Sequence, residues 1–148
     1  MQRAFAYYIN TLRMDFVQYC SKKMKDLEIS HGLIYFILFI GKNPGCSLGT
    51  LAQSLHSDGG HTTRSVEKLV KQGYVERKQA PYDRRTAILN LTPEGQQVFE
   101  SCRTWFNDWQ KLRTAALTQE EVQQLCQLLH KTVQDIEQFI PTQQPLQD

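Results

Sequence analysis

No stretch of this sequence reaches the roughly 18 apolar residues that a membrane-spanning helix needs. The longest apolar run, Leu33 to Ile40, is eight residues long and internal. The N-terminal segment lacks a basic stretch followed by an apolar core and a small-residue cleavage site, so no secretory signal is expected. Cysteine is sparse. Cys20, Cys46, Cys102 and Cys126 show no CxxC spacing, which points to reduced thiols in a cytoplasmic protein rather than a disulfide framework. Cys126 and His130 stand four apart, a spacing that suits a metal, but two ligands are too few for a site. Also missing are GxSxG, GxGxxG, HExxH and a P-loop, so neither an enzyme nor a cofactor is expected.

What is present is an ordinary globular balance. The 148 residues are 41% hydrophobic and 22% charged, enough for one domain with a real core and unlike a disordered chain or a coiled-coil rod. Charge is unevenly placed. Residues 1 to 41 hold five basic and three acidic groups; residues 42 to 90 hold eight and four; residues 91 to 148 hold four and eight. The middle third is therefore the basic part, as an anionic polymer partner would require.

Periodicity then gives the order of elements. Phe5, Tyr8, Ile9, Leu12, Phe16 and Tyr19 recur at helical spacing within residues 3 to 27. Ser30 caps a second helix that carries the apolar run and stops at Lys42-Asn43-Pro44-Gly45. A short helix covers 48 to 56. Ser57-Asp58-Gly59-Gly60 breaks the chain, and a helix runs from about His61 to Gln72, closed by Gly73. Val75 to Gln79 and Thr86 to Leu91 read as two strands joined by the turn Ala80 to Arg85. Thr92-Pro93-Glu94 and the capping box Thr118 to Glu121 open two last helices. Helix–turn–helix followed by a hairpin is a winged helix, so a mainly α (α+β) fold is expected.

On a helical wheel, His61, Arg64, Ser65, Lys68, Lys71 and Gln72 share one face, while Thr62, Val66, Leu69, Val70 and Gly73 lie opposite. A polar, basic face on one helix suits the major groove of duplex DNA. The positive helix start and the close backbone approach allowed by Gly59-Gly60 add anion affinity. Asp83-Arg84-Arg85 places two guanidinium groups at the hairpin turn. Arginine is favoured in narrow minor grooves, and Asp83 is placed to brace one of the pair.

These residues resemble the MarR family of transcriptional regulators. The likeness runs from Ile29-Ser30 through Leu51-Ala52, His61-Thr62-Thr63-Arg64-Ser65-Val66-Glu67-Lys68-Leu69 and Gly73-Tyr74-Val75-Glu76-Arg77. It ends at Asp83-Arg84-Arg85 and Leu91-Thr92-Pro93-Glu94-Gly95. One departure is Gly59-Gly60-His61, where the family often has Ser or Thr. The resemblance implies a homodimeric winged helix-turn-helix regulator of double-stranded DNA, usually a repressor relieved by a small molecule or an oxidant. It gives DNA-contacting roles to His61, Thr62, Thr63, Arg64, Ser65 and Lys68 and to the wing residues Arg84 and Arg85.

The ends of the chain carry two further apolar seams. One is Phe5, Tyr8, Leu12 and Phe16; the other is Val122, Leu125, Leu129, Ile136 and Phe139. Joined between two chains they would make a two-fold dimer suited to near-palindromic sites. The expected division is residues 29–95 for DNA, 1–28 and 96–140 for dimerisation, and 141–148 as a tail. Arg13, His31 and Tyr35 are candidates for lining a small-molecule pocket. Cys20 is read as a buried structural cysteine. The alternative function is a winged-helix protein–protein adaptor without DNA binding.

Overall fold

The computed structural model describes residues 3–137. Its elements are α1 (Phe5–Lys23), a 3-10 turn (Lys25–Leu27), α2 (His31–Lys42), β1 (Cys46–Ser47), α3 (Leu48–Ser54), α4 (Gly59–Lys71), β2 (Val75–Ala80), β3 (Asp83–Leu91), α5 (Pro93–Arg113) and α6 (Gln119–Glu137). This is the mainly α winged-helix arrangement expected. Phe139 and the tail from residue 141 lie outside the described residues.

The apolar run forms the centre. Leu33, Ile34, Phe36, Ile37, Leu38 and Ile40 of α2 are all buried. Each such side chain removed from water contributes about 1.5–3 kcal/mol. Around α2 the core adds Leu51 of α3, Val66 and Leu69 of α4, Val75 and Leu89 of the sheet, and Val98, Phe99 and Cys102 of α5.

The sheet is antiparallel in the order β1-β3-β2, one strand more than the sequence indicated. β1 is two residues long and pairs Cys46 with Leu89 and Ser47 with Ile88. The pairing of β2 with β3 begins at Val75 opposite Leu91. Two more boundaries differ from expectation. The first helix ends at Lys23, where Met24, 1% exposed, enters the core and a 3-10 turn follows. The helix after the Gly-Gly break starts at Gly59 instead of His61, because Asp58 caps it.

Local chemistry fixes the junctions. Gly73 takes φ +84°, which lets α4 close with bonds from the Gly73 N–H to the Val70 carbonyl and from the Tyr74 N–H to the Leu69 carbonyl. Thr92 caps α5 through its hydroxyl, which accepts from the Gly95 N–H, with Pro93 in the first turn. A Cβ at Gly95 would lie 2.0 Å from the Tyr74 carbonyl oxygen, so only glycine lets α5 start against β2. The capping box of α6 forms as expected, with Thr118 and Glu121 bonded reciprocally. Ser30 stands at the start of α2, but its side chain makes no capping bond.

Both terminal helices differ from the rest in burial. α1 buries only Cys20 fully, and α6 buries no described residue. Phe16 and Tyr19 of α1 pack on the core. Phe5, Tyr8, Ile9 and Leu12 of α1 and Leu125, Leu128, Val133 and Ile136 of α6 stay exposed in the single chain.

Candidate nucleic-acid interface

α4 is built to present its first turns. The Asp58 Oδ1 accepts from the His61 N–H at 2.8 Å and satisfies one of the donors that a helix start leaves open. That bond holds the Asp58 carboxyl below its ordinary pKa, and the Arg64 charge works in the same direction. Arg64 arches back over the helix start, its Nη1 3.3 Å from where a Cβ on Gly60 would sit. The His61 ring meets Phe36 of α2 edge-on at 6.1 Å between centroids.

The exposed face of α4 is rotated from the one drawn on the wheel. His61, Arg64, Glu67, Lys68, Val70 and Lys71 face solvent, with Thr63 half-buried. Two of the candidates withdraw. Thr62 is 1% exposed and donates its hydroxyl to the Asp58 carbonyl at 2.9 Å; Ser65 is 6% exposed. Both turn inward with Val66 and Leu69, and neither can reach a base without unpacking the helix. Val70, on the margin of the packed face, is 39% exposed. The Thr63 hydroxyl donates to the Gly59 carbonyl at 2.8 Å and keeps lone pairs for a further donor.

The wing also differs from the expected turn. Only Pro81 and Tyr82 connect the strands; Arg84 and Arg85 are the second and third residues of β3, both exposed. Asp83 braces the wing through the backbone rather than a guanidinium. Its Oδ1 accepts from the Arg85 N–H at 2.9 Å and its Oδ2 from the Thr86 hydroxyl at 2.8 Å. These two bonds lower the Asp83 pKa.

Of the pocket candidates, His31 and Tyr35 come together and Arg13 stays apart. His31 Nε2 lies 3.4 Å from the Tyr35 hydroxyl, and its ring meets Phe16 edge-on. Burial lowers the His31 pKa and raises that of Tyr35. Arg13 is exposed and donates to Asn10 on its own helix. The sequence reading missed what stands beside this pair: Phe16 also packs on Phe106 and Trp109 of α5. Asp15 next to it accepts from Trp109 Nε1 at 2.7 Å and pairs with Arg113 Nε at 2.8 Å.

Burial pushes the Cys20 thiol up to about 11 and the Cys102 thiol up to about 12, the behaviour of inert structural cysteines. Among the described residues no three candidate ligands cluster as a metal site would require, and no helix is long and apolar enough to cross a membrane.

The family model described as MarR family matches residues 34–86, from the core of α2 to the wing. An HTH-type transcriptional regulator named BilQ from Clostridium symbiosum is 42% identical over 131 residues, covering 88% of this chain and 91% of the relative. The chain belongs to the MarR family of transcriptional regulators. A solved MarR protein from Peptoclostridium difficile is 29% identical, with a TM-score of 0.78 over 93% of this chain and 90% of that one. FabT from Streptococcus pneumoniae, solved in complex with DNA, shares the fold at 24% identity, with a TM-score of 0.73 over 90% of this chain and 92% of that one.

Proposed function

We propose that this MarR-family chain acts in the cytoplasm as a homodimer that binds double-stranded DNA at near-palindromic operators. Residues 29–95 form the DNA-binding portion. α4 enters the major groove through His61, Thr63, Arg64 and Lys68, and the wing brings Arg84 and Arg85 to the minor groove. The observation that carries this reading is the presence of two exposed basic elements, α4 and the wing, in one winged-helix fold. Arg64, Lys68 and Lys71 line α4, and two arginines open β3, with Asp83 holding its start. The regulator represses until a small molecule displaces it. Cys20 and Cys102 are buried with raised pKa values, so neither thiol is a ready oxidant sensor. The half-buried pair His31–Tyr35 beside Phe16 is where an aromatic effector would sit.

A DNA titration across salt concentration tests the reading. Two basic helices and two wings should neutralise on the order of 6–10 phosphates, so log K should fall steeply with log salt. Arg85→Ala should cost about 1–3 kcal/mol per subunit if it sits in a narrow groove. Its melting temperature should not move, because an exposed arginine buries little. Arg103 pairs with Glu100 on α5 and serves as the control, its alanine variant binding like the parent. A flat salt dependence would refute the DNA reading.

A further inference from the structure

We propose that Tyr82, at the tip of the wing, is itself a DNA-contacting residue, whose ring packs against the deoxyribose walls of the minor groove and sets how the wing seats. The proposal rests on the reading of the chain as a duplex-DNA binder. It starts from how the turn is made. Ala80 pairs with Asp83, so Pro81 and Tyr82 form a two-residue connection. Two-residue hairpins favour turns whose first central residue has positive φ, because those match the twist of the strands. Proline fixes φ near −65° and forbids this, and Tyr82 is not among the residues with positive φ. The mismatch is taken up by a register shift between Gln79 and Ala80.

The outcome is a tyrosine that is pushed out and held. Pro81 stiffens the backbone before it. After it, Asp83 ties down the start of β3 through the Arg85 N–H and the Thr86 hydroxyl. Tyr82 is 83% exposed, the most exposed large apolar side chain among the described residues. Most of the others belong to α1, α5 and α6 or to the link between the last two; within residues 29–95 only Val70 joins it. Tyr82 is thus separate from the terminal seams read as the dimer surface. Arg84 and Arg85, both exposed, follow it two and three residues later. An exposed aromatic ring close in sequence to two exposed arginines matches a partner that offers negative charge and apolar sugar surface at close range. A nucleic-acid groove has both.

The test uses the full chain and a duplex selected by the parent protein from a random-sequence library. Tyr82→Ala should weaken binding about tenfold, the scale of a lost buried aromatic contact. The slope of log K against log salt should not change, because no charge is removed, whereas Arg85→Ala should flatten it. Tyr82→Phe should keep most of the affinity. Tyr82→Trp should change its emission on addition of the duplex, beyond any change from Trp105 and Trp109 in the parent. Melting temperatures of all three Tyr82 variants should match the parent. Parent-like affinity in Tyr82→Ala, with steep salt dependence in the parent, would overturn this proposal and leave the DNA reading standing. A loss of affinity that tracks a lowered melting temperature would overturn it as well. No binding by the parent at low salt would remove both, and a protein ligand for the wing would then be the surviving alternative.

Discussion

Gly59 sits in the first turn of α4 with open space where a Cβ would be added. No backbone strain demands glycine there, since its φ is not positive. Glycine in a helix costs about 0.5–1 kcal/mol relative to alanine, so Gly59→Ala should stabilise the folded chain by up to about that amount. If the bare backbone is kept so that phosphates can approach the helix start, the same variant should bind DNA more weakly. A thermal melt and a DNA titration on one preparation check both signs; higher stability with unchanged affinity would mean that Gly59 has no role at the interface. At this scale the sequence was an uneven guide. Thr62 was on the inner side of the wheel, where the structure puts it, and only the family likeness made it a DNA candidate. Ser65 was misplaced because polarity was read as exposure. A small hydroxyl residue is cheap to bury when the helix above it must sit close to α2, and no single-residue property announces that.

Elements were more legible where a period or a cap is long enough to read. α5 and α6 follow from their apolar spacing, α2 only from Ser30 before it and the stop at Lys42 to Gly45, and Thr92 and Thr118 mark helix starts with side-chain bonds that form as expected. β1 was invisible because two residues have no period and exist as a strand only through pairing with Leu89 and Ile88. The start of α4 was misread because Gly-Gly looks like a break, although the Asp58 before it is a good capping residue. Long-range ties between elements could not be read at all. The tie from Asp15 on α1 to Trp109 and Arg113 on α5 spans most of the chain. A hydrogen bond to a charged group is worth about 1.5–3 kcal/mol when buried. Asp15 is a third exposed, so Asp15→Ala should cost about 1–2 kcal/mol after allowance for solvent. It should also loosen α1 against α5, faster amide exchange on both helices being the direct readout. An unchanged melt with unchanged exchange would show that Phe16, packed on Phe106 and Trp109, holds the two helices without Asp15.

For the whole molecule, the decisive feature is apolar surface that one chain leaves uncovered. α6 buries none of its described residues, yet Leu125, Leu128, Val133 and Ile136 recur along it, and Phe5, Tyr8, Ile9 and Leu12 do the same on α1. Exposed apolar side chains recurring on one helix face are what an association surface offers. A two-fold pairing of these helices would cover both seams at once and hold two copies of α4 and the wing at a fixed spacing, which is what a near-palindromic site needs. Removing α6 by ending the chain after Thr118 should therefore leave monomer or aggregate, and duplex affinity should fall steeply because the two half-sites are no longer engaged together. Truncation alone would leave misfolding as an explanation, so a point variant is the sharper probe. Leu128 is more than half exposed in the single chain, and Leu128→Glu should cost the monomer little stability of its own. It should still shift the mass measured by light scattering from dimer toward monomer, with helix content by circular dichroism unchanged. A stable dimer in both the truncated chain and Leu128→Glu would place the association surface elsewhere, with α1 and its Phe5–Leu12 stripe the next surface to substitute.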